Sequence, residues 1–467
     1  MNLIGMGVIA VTNPYNGNVI DEVASATKAD ATGAVERAVA AARDLAQLTT
    51  HERADLLERA ADEADLALDE LADLIVAEQG KTRAEARREA GRVGPLLRLC
   101  AAEIRTLHEE MIPLDASPDG AQRLGFRLRV PVGVVVAVTP FNYPLLLVAH
   151  KVGPALAGGN AVILKPSSLT PLTAQRFVAL LQKGGYPGDA IQCVVGHGAS
   201  VVPWLCADAR VRVVTFTGGR EAGLAIAHQT GIQRLCLELG ANCPLVIMED
   251  ADIDVAAAGT AVGGFANAGQ ACISAQRILV HESVNAEFLD ALAAKVGAIR
   301  AGDPTDPETT MGPLISEAEA QRVEKVIGAA VEAGARIVVG GRRDRAVHEP
   351  TVVANVPVTT SLFRDELFGP AVGVTSFGSF EEAVALANQS QYGLGAAIYT
   401  RDVHHALAFA RQVEAGNIHI NSSPLWRVDA MPYGGLKQSG LGKEGPRYAI
   451  EEMTDTKTVV FHPEPRT

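Results

Sequence analysis

The sequence predicts an α/β fold built from two doubly wound sheets and a small additional β arm. Two observations lead to this prediction: apolar, β-branched runs alternate with helical stretches over residues 130–240, and a second alternation continues to residue 421. At 467 residues, the chain is too long for one hydrophobic core, and about 150 residues per domain predicts two or three domains.

The composition is that of an ordinary globular protein. Apolar residues make up 48% of the chain and charged residues 20%, which argues against disorder. The net charge of -13 opposes binding to nucleic acid or to an anionic membrane, because both would need a basic surface. We therefore expect no nucleic-acid partner.

The cysteines give no sign of disulfides or metal binding. Six are present, without a Cys-x-x-Cys pair and without a Cys/His cluster at ligand spacing. No charged segment followed by an apolar stretch and a cleavage site opens the chain, so we expect no secretory signal. Free thiols, no metal site and a reducing, cytoplasmic location follow as expectations.

Residues 28–110 carry alanine, leucine and charged residues at helical spacing, which predicts amphipathic helices, and Gly80 supplies a stop. Two strand-like runs follow, EEMIPLD and QRLGFRLRVPVG, and the Asp-Gly step in the intervening SPDGA predicts a hairpin. The late segment TKTVVFH is also β-prone. It needs a sheet to join, in this chain or in a neighbouring subunit.

Residues 130–149 approach the length of a membrane span but are interrupted. Pro131, Pro140, Asn142 and Pro144 divide the stretch into a buried strand, a polar turn and the start of a helix. We expect no membrane segment.

Short motifs recur in one order over some 300 residues of the chain. The first four are TPFNYP at 139–144, FTGG at 216–219, LELG at 237–240 and GQAC at 269–272. The others are KPSSLTP at 165–171, ELFGP at 366–370, GNIHIN at 416–421 and PYGGLKQSGLGKEG at 432–445. Their order and spacing resemble the aldehyde dehydrogenase superfamily over essentially the whole chain.

The resemblance implies the aldehyde dehydrogenase fold, with two Rossmann-like domains and an active site in the cleft between them. Residues 1–110 and 131–240 would form the dinucleotide-binding domain, and residues 241–446 the catalytic domain. Residues 111–130 and 447–467 would form an oligomerisation arm. A homodimer or a homotetramer is expected.

By the same resemblance, Cys272 is the nucleophile. A planar carbonyl carbon cannot release hydride, whereas a thiolate that adds to it creates a tetrahedral thiohemiacetal that can. Asn142 and the backbone N–H of Cys272 would hold the oxyanion. Glu238, placed among apolar neighbours that would raise its pKa, would activate the water that hydrolyses the thioester. For the other five cysteines we expect core packing.

The cofactor residues also come from the resemblance. Gly218 and Gly219 would let backbone N–H groups approach a pyrophosphate at the mouth of a helix. Lys165 matches a lysine that reaches the adenine-side ribose. Glu366 matches the glutamate that holds the nicotinamide-side ribose, and Phe368 matches the aromatic residue beside the nicotinamide.

Two departures from the family pattern bear on this site. Ser168 stands where members that prefer NAD often have a glutamate, which would repel the 2'-phosphate of NADP. Both NADP and NAD therefore stay possible, and NADP is slightly favoured, with Lys165 and Ser168 as phosphate contacts. Residues 241–243 are Ala-Asn-Cys where many members have Gly-Lys-Asn/Ser, which alters the surroundings of Glu238.

The predicted substrate pocket comprises Tyr143, His150, Trp426 and Arg427. An apolar wall with one or two positive groups would suit a small, hydroxylated or anionic aldehyde. Alternatively, Arg427 pairs with Asp429, and His150 is a core histidine with satisfied hydrogen bonds. The segments LVAHKVGPALAGGN and WRVDAMPYGG are similar to the branch of lactaldehyde, non-phosphorylating glyceraldehyde-3-phosphate and phosphonoacetaldehyde dehydrogenases.

Three other functions are possible for such a chain, and the residues fit each of them less well. An acylating dehydrogenase would pass its thioester to coenzyme A, but such members commonly lack the base that Glu238 supplies. A thiol hydrolase would need a Cys-His-Asn/Asp arrangement, and none is evident. A catalytically silent binding protein on the same scaffold would not need Asn142, Glu238 and Cys272 together.

Overall fold

The computed structural model describes residues 7–107 and 109–462. Within these residues there are sixteen α-helices: α1 Lys28–Leu45, α2 Thr50–Leu66, α3 Leu68–Gln79, α4 Arg83–Ala90, α5 Val93–Thr106, α6 Leu146–Ala157, α7 Pro171–Lys183, α8 Gly198–Cys206, α9 Arg220–Gln229, α10 Ile253–Phe265, α11 Asn285–Gly297, α12 Glu317–Glu332, α13 Ser361–Arg364, α14 Phe380–Asn388, α15 Val403–Gln412 and α16 Pro446–Glu452.

The same residues contain 22 strands: β1 Val8–Thr12, β2 Val19–Ala24, β3 Glu110–Ile112, β4 Leu124–Pro131, β5 Val134–Val138, β6 Ala161–Lys165, β7 Ile191–Cys193, β8 Val211–Thr217, β9 Arg234–Glu238, β10 Cys243–Ile247, β11 Ala275–His281, β12 Arg336–Val339, β13 Arg343–Asp344, β14 Val347–His348, β15 Thr351–Ala354, β16 Ala371–Phe377, β17 Tyr392–Gly393, β18 Gly395–Tyr399, β19 Asn417–Ile420, β20 Leu436–Lys437, β21 Gly440–Leu441 and β22 Thr454–Phe461.

The first large sheet has the strand order β21-β9-β8-β5-β6-β7. Its strands are parallel except for β21, which runs antiparallel to β9. Helices cover both faces, so every residue of β5 is buried. Val135 and Ala137 belong to one core, with residues of α2, α5 and α6. Val134, Val136 and Val138 belong to another, with residues of α1 and α8. The doubly wound prediction is confirmed here.

The second large sheet has the order β12-β15-β16-β11-β10-β18-β19. It is parallel except for the edge strand β12, which pairs antiparallel with β15. Alternate residues of β10 again enter separate cores, with Leu245 and Ile247 on one face and Val246 on the other. This alternation explains why the strand appears in the sequence as a continuous apolar run.

Residues of the two segments predicted to form an arm pair in a three-stranded antiparallel sheet, β22-β4-β3, whereas their role in oligomerisation stays a prediction. The pairing of β3 with β4 is confirmed, but Asp119 and Gly120 lie in a short 3-10 helix and do not form a tight turn. The connection is too long for a two-residue hairpin. Strand β22 pairs with β4 along all eight of its residues, so it joins a sheet of its own chain.

An antiparallel hairpin, β1 with β2, precedes the helices and was not predicted from the sequence. Its turn signal was present, because Asn16-Gly17 is a favoured hairpin step and Gly17 adopts φ +76°. Residues Ile9, Val11 and Val23 pack with Val195 beside the first sheet.

The stretch 130–149 divides as predicted, into the end of β4, the buried strand β5, a turn and the start of α6. Across residues 7–107 and 109–462, no helix combines the length and apolarity that crossing a membrane requires. The domain boundaries stay a prediction. Strand β21 lies after residue 241 in the chain but belongs to the first sheet.

Candidate active site

A cavity of about 950 Å³ opens at the carboxyl ends of β5, β6 and β8. The chain order reverses between β5 and β8, and ligands of open α/β sheets bind at such a point. The cavity brings together eight of the predicted site residues: Asn142, Lys165, Ser168, Gly218, Gly219, Cys272, Glu366 and Phe368.

Cys272 reaches this cavity on a sharply turned loop between α10 and β11. Asn267 and Ala268 adopt φ values of +51° and +53°, a left-handed conformation that is strained for residues other than glycine. Gly269 continues the turn at φ +70°, and an added Cβ there would lie 2.1 Å from the carbonyl oxygen of Gly369. Backbone strain is therefore concentrated beside the predicted nucleophile.

Asn142 lies on the turn between β5 and α6 and is linked to the Cys272 loop. Its Nδ2 donates to the carbonyl oxygen of Gln270 at 2.9 Å. In return, Nδ2 of Asn267 donates to the carbonyl oxygen of Asn142 at 3.0 Å. These two bonds hold the predicted oxyanion donor against the segment that carries Cys272.

A buried ion pair supports the Asn142 turn from behind. Glu89 accepts the backbone N–H groups of Leu145 and Leu146, each at 3.0 Å, and its other oxygen pairs with Lys81. The Lys81 ammonium lies 3.5 Å from the ring centroid of Tyr143. Glu89 and Lys81 thereby position both the turn and one predicted pocket residue.

Glu238 ends β9 and is buried, with 5% of its surface exposed. Among the described residues its Oε2 has no hydrogen-bond partner. Burial and the neighbouring Glu444 carboxylate raise the pKa of Glu238 well above its usual range, although Lys151 and Arg427 oppose the shift. Gly434 leaves the room for it, because a Cβ there would lie 2.9 Å from Oε1.

The Cys272 sulfur lies 2.9 Å from the hydroxyl oxygen of Tyr433. Burial raises the pKa of the thiol to about 12, against the hydrogen bond from Tyr433, which lowers it. The resting thiol is therefore protonated at neutral pH. It reacts only as the thiolate, so the site must stabilise a negative charge on the sulfur.

Tyr433 is held by a network of buried charges. The Arg427 guanidinium covers its ring at 3.7 Å from the centroid and contacts Glu444 at 3.2 Å. Glu444 pairs in turn with Lys151 at 2.9 Å. The alternative pairing of Arg427 with Asp429 is wrong, because Glu444 occupies that role.

His150 is 1% exposed, and its Nε2 lies 3.0 Å from Asp429. Arg92 pairs with the same carboxylate at 2.5 Å. Burial and the nearby Arg427 lower the pKa of His150, so the ring is neutral near pH 7. The residues that line the cavity do not include Glu238, Tyr143, His150, Arg427 or Trp426. Trp426 is 56% exposed and makes an edge contact with His419.

On the opposite side of the cavity, Lys165 is 4% exposed. Its Nζ forms no hydrogen bond or ion pair with any residue that the structure describes, and burial lowers its pKa to about 8. Glu366 accepts the backbone N–H of Ala241 at 2.9 Å, and burial raises its pKa to about 7. Ser168 is half-buried at the cavity wall.

Glycines and strained backbone shape the side of the cavity where the predicted cofactor residues lie. Gly219 directly precedes α9, and a Cβ on Gly218 would lie 2.5 Å from the Phe216 ring. Phe368 adopts φ +50° and meets Phe141 edge-to-face, with the ring centroids 5.9 Å apart. A bulky residue held in this conformation at a cavity is typical of a functional site.

Comparison with known proteins decides the family. The family model described as "Aldehyde dehydrogenase family" matches residues 5–459. The chain belongs to the aldehyde dehydrogenase family. Like the other members, it is an NAD(P)-dependent oxidoreductase that converts an aldehyde to a carboxylic acid.

Individual relatives support the same placement. A 3-sulfolactaldehyde dehydrogenase from Priestia aryabhattai is 41% identical over 454 residues, 97% of this chain and 94% of the relative. A lactaldehyde dehydrogenase from Methanococcus vannielii is 36% identical over 456 residues, 97% of each chain. The predicted resemblance to the family and to this branch is confirmed.

A solved structure confirms the predicted aldehyde dehydrogenase fold. Glyceraldehyde-3-phosphate dehydrogenase GapN from Methanocaldococcus jannaschii, complexed with NADP, superposes with a TM-score of 0.94 at 35% identity. The superposition covers 97% of this chain and 98% of that chain.

Tyr433, Glu444 and Lys151 of this aldehyde dehydrogenase were not among the predicted site residues, although all three stand in segments that resemble the family. A signal existed for Lys151, because a lysine inside the apolar helix LLVAHKVGPALA is rarely buried without a partner. All six cysteines are free, as expected. In the described ranges, no three His, Cys, Asp or Glu side chains gather to hold a metal ion.

Proposed function

We propose that the Cys272 thiolate attacks the aldehyde carbon, forming a carbon–sulfur bond while the carbonyl oxygen takes the electron pair. The amide of Asn142 and the backbone N–H of Cys272 hold that oxyanion. A nicotinamide dinucleotide, when bound, supplies the two-electron acceptor. The oxidised acyl group is then a thioester on Cys272. Glu238 takes a proton from the attacking water, and the carbon–sulfur bond breaks to restore the thiolate.

The observation that carries this proposal is the shared cavity. Asn142 and Cys272 line the same space as Lys165, Gly218 and Glu366. A reacting carbon at the sulfur would therefore have oxyanion donors on one side and the cofactor residues on the other. Proximity of this kind contributes a large part of enzymatic rate enhancement.

The cavity fits a dinucleotide, and we infer that NADP is used, with NAD as the alternative. Lys165 brings a buried ammonium that has no partner among the described residues, and Ser168 adds a hydroxyl and no charge. Glu366 has one oxygen on the Ala241 N–H and one beside Gly240, where a Cβ would lie 2.6 Å away. A relative solved with NADP supports the same choice.

The variant Ser168→Glu is expected to move cofactor preference toward NAD. A carboxylate at the cavity wall repels a 2'-phosphate and accepts a ribose hydroxyl, so the ratio of NADP to NAD affinity should fall by about a hundredfold. Titration of the protein with each dinucleotide measures this ratio. The control is Leu169→Glu, which adds the same charge at the adjacent, exposed position. Equal effects of the two variants would contradict a phosphate contact at Ser168.

For the substrate, we infer a small aldehyde that carries an anionic group. Among the described residues, Arg427 and Lys151 form ion pairs with the same carboxylate, that of Glu444, whereas Arg92 pairs with Asp429. The Nε of Arg427 is also buried and unpartnered among the described residues. An arginine with unused, desolvated donors is suited to a carboxylate, sulfonate or phosphate. The relative named for 3-sulfolactaldehyde supports this class.

A panel of aldehydes tests the substrate class. Wild-type enzyme should reduce NADP with hydroxylated aldehydes that bear a carboxylate, sulfonate or phosphate, and more slowly with neutral aldehydes of the same length. Arg427→Gln should lower the ratio of kcat/KM for anionic over neutral substrates by about tenfold to a hundredfold, because one charged hydrogen-bond donor is lost. The absorbance of the reduced nicotinamide measures each rate. An unchanged ratio would exclude Arg427 as the anion site.

We further propose that the protein works in the cytoplasm as a homodimer or homotetramer. Apolar residues exposed on the arm support an assembly: Met111, Leu124 and Phe461 are 60%, 50% and 56% exposed.

A further inference from the structure

Tyr433 has a contact that the mechanism above does not use. Its ring is buried, with 3% of the residue exposed, and its hydroxyl oxygen lies 2.9 Å from the Cys272 sulfur. In the part of the chain that the structure describes, this oxygen makes no other hydrogen bond. Among these residues, the predicted nucleophile is therefore the single hydrogen-bond partner of the Tyr433 hydroxyl.

The tyrosine cannot easily turn away, because backbone and side-chain contacts fix it together. Tyr433 and Glu444 exchange both backbone hydrogen bonds, at 3.1 and 2.6 Å. The Glu444 side chain holds Arg427, and the Arg427 guanidinium covers the Tyr433 ring. These three residues close a loop of contacts that keeps the hydroxyl aimed at the sulfur before any substrate binds.

The surroundings of the sulfur make such a donor necessary. Burial and the nearby carboxyl groups of Glu238 and Glu366 disfavour a negative charge on Cys272, whereas Tyr433 and Arg427 favour it. A cation on the face of a phenol ring withdraws electron density and makes its O–H a stronger donor to an anion. Arg427 therefore acts on the sulfur through Tyr433 as well as directly.

We propose that Tyr433 is a catalytic residue whose hydroxyl donates a hydrogen bond to the Cys272 sulfur and stabilises the thiolate. The proposal rests on Cys272 being the nucleophile. The same bond acts twice in one turnover: it stabilises the thiolate before attack on the aldehyde, and again when the carbon–sulfur bond of the thioester breaks and its electron pair returns to sulfur. In the resting thiol the S–H can donate to the tyrosine oxygen. When the thiol proton passes to solvent in the cavity, the tyrosine O–H turns to donate to the sulfur.

Alkylation of Cys272 by iodoacetamide tests this proposal without substrate or cofactor. The rate, followed by mass spectrometry of the peptide that contains Cys272, depends on the fraction of thiolate. In Tyr433→Phe we expect a rate about tenfold to a hundredfold lower near pH 7, approaching the wild-type rate at high pH, because one charge-assisted hydrogen bond is lost. The matched control, Tyr186→Phe, removes a hydroxyl that is buried in the first core, away from the sulfur, and should leave the pH profile unchanged.

A second variant covers the case in which Tyr433→Phe does not fold, which thermal unfolding would reveal. Arg427→Gln should shift the alkylation profile in the same direction by a smaller amount. A folded Tyr433→Phe with the wild-type profile would overturn the proposal, as would a shift in Tyr186→Phe of equal size. Failure of the proposed function is distinguishable, because wild-type enzyme alkylated at Cys272 would then keep its dehydrogenase activity.

Discussion

Replacing Cys272 with alanine should lower kcat/KM for the best aldehyde by roughly 10⁴-fold or more, because loss of a nucleophile removes the covalent route altogether. Without the sulfur, the substrate carbon stays planar and has no oxyanion to expel hydrogen with its electron pair. Dinucleotide binding should persist, since Lys165, Gly218 and Glu366 are untouched. Absorbance of the reduced nicotinamide measures the rate, and nucleotide titration measures the binding.

Cys243→Ala is the matched control for that experiment. The Cys243 sulfur lies 3.6 Å from the carbonyl oxygen of Cys272, so the control removes a neighbouring thiol from the same core. It should keep kcat/KM within a few-fold of wild type. Activity that survives in Cys272→Ala, or disappears in Cys243→Ala, would assign the nucleophile to another residue.

Glu238→Gln should separate the two halves of the reaction. The first turnover should still release one equivalent of reduced dinucleotide, whereas steady-state turnover should fall by about 10² to 10⁴, the usual contribution of a general base. A thioester on Cys272 should accumulate. Rapid-mixing absorbance measures the burst, and mass spectrometry of the intact protein measures the acyl adduct.

The pH dependence of this step has a definite sign. The pKa of Glu238 is raised, so the carboxyl group is protonated at low pH and becomes a competent base as the pH rises through that pKa. Hydrolysis of the thioester should therefore accelerate with increasing pH in wild type and lose this dependence in Glu238→Gln. The exposed Glu221→Gln is a charge-matched control that should behave as wild type. A missing burst in Glu238→Gln would place Glu238 in the first half-reaction.

Sequence predicted the cavity residues well because they stand in short motifs. Lys165 ends β6 and Gly218 directly follows β8, and parallel strands bring their carboxyl ends to one edge. Glu366 and Phe368 lie in the loop between α13 and β16, which lines the same cavity. The left-handed backbone of Phe368 was not predictable, because no local pattern requires φ > 0 of a phenylalanine.

The charge network behind Cys272 was missed for a different reason. Arg92 and Asp429 are 337 residues apart, and Lys151 and Glu444 are 293 residues apart. Periodicity describes near neighbours, whereas these pairs depend on how two sheets pack. The helix that carries Glu89 likewise has the sequence of a solvated, charged face, and its burial follows from tertiary structure.

The two-residue strand β21 could not be predicted from the local sequence either. Gly440 and Leu441 carry no strand signal, yet they pair with Glu238 and Leu237 at the edge of the first sheet. The parallel strands β5, β6 and β8 were predictable because burial on both faces leaves an apolar run in the sequence.

The late position of Tyr433 in the chain has a consequence for synthesis on the ribosome. Tyr433 lies 161 residues after Cys272 in the chain, and Thr454 of β22 lies 325 residues after Arg129 of β4. A nascent chain emerges at about 5–20 residues per second. For many seconds, therefore, the Cys272 thiol lacks its Tyr433 hydrogen bond and strand β4 lacks its partner strand β22. Reactivity of the sulfur is thereby deferred until most of the molecule has been translated, and the period before β22 arrives is when edge-to-edge aggregation is the main hazard.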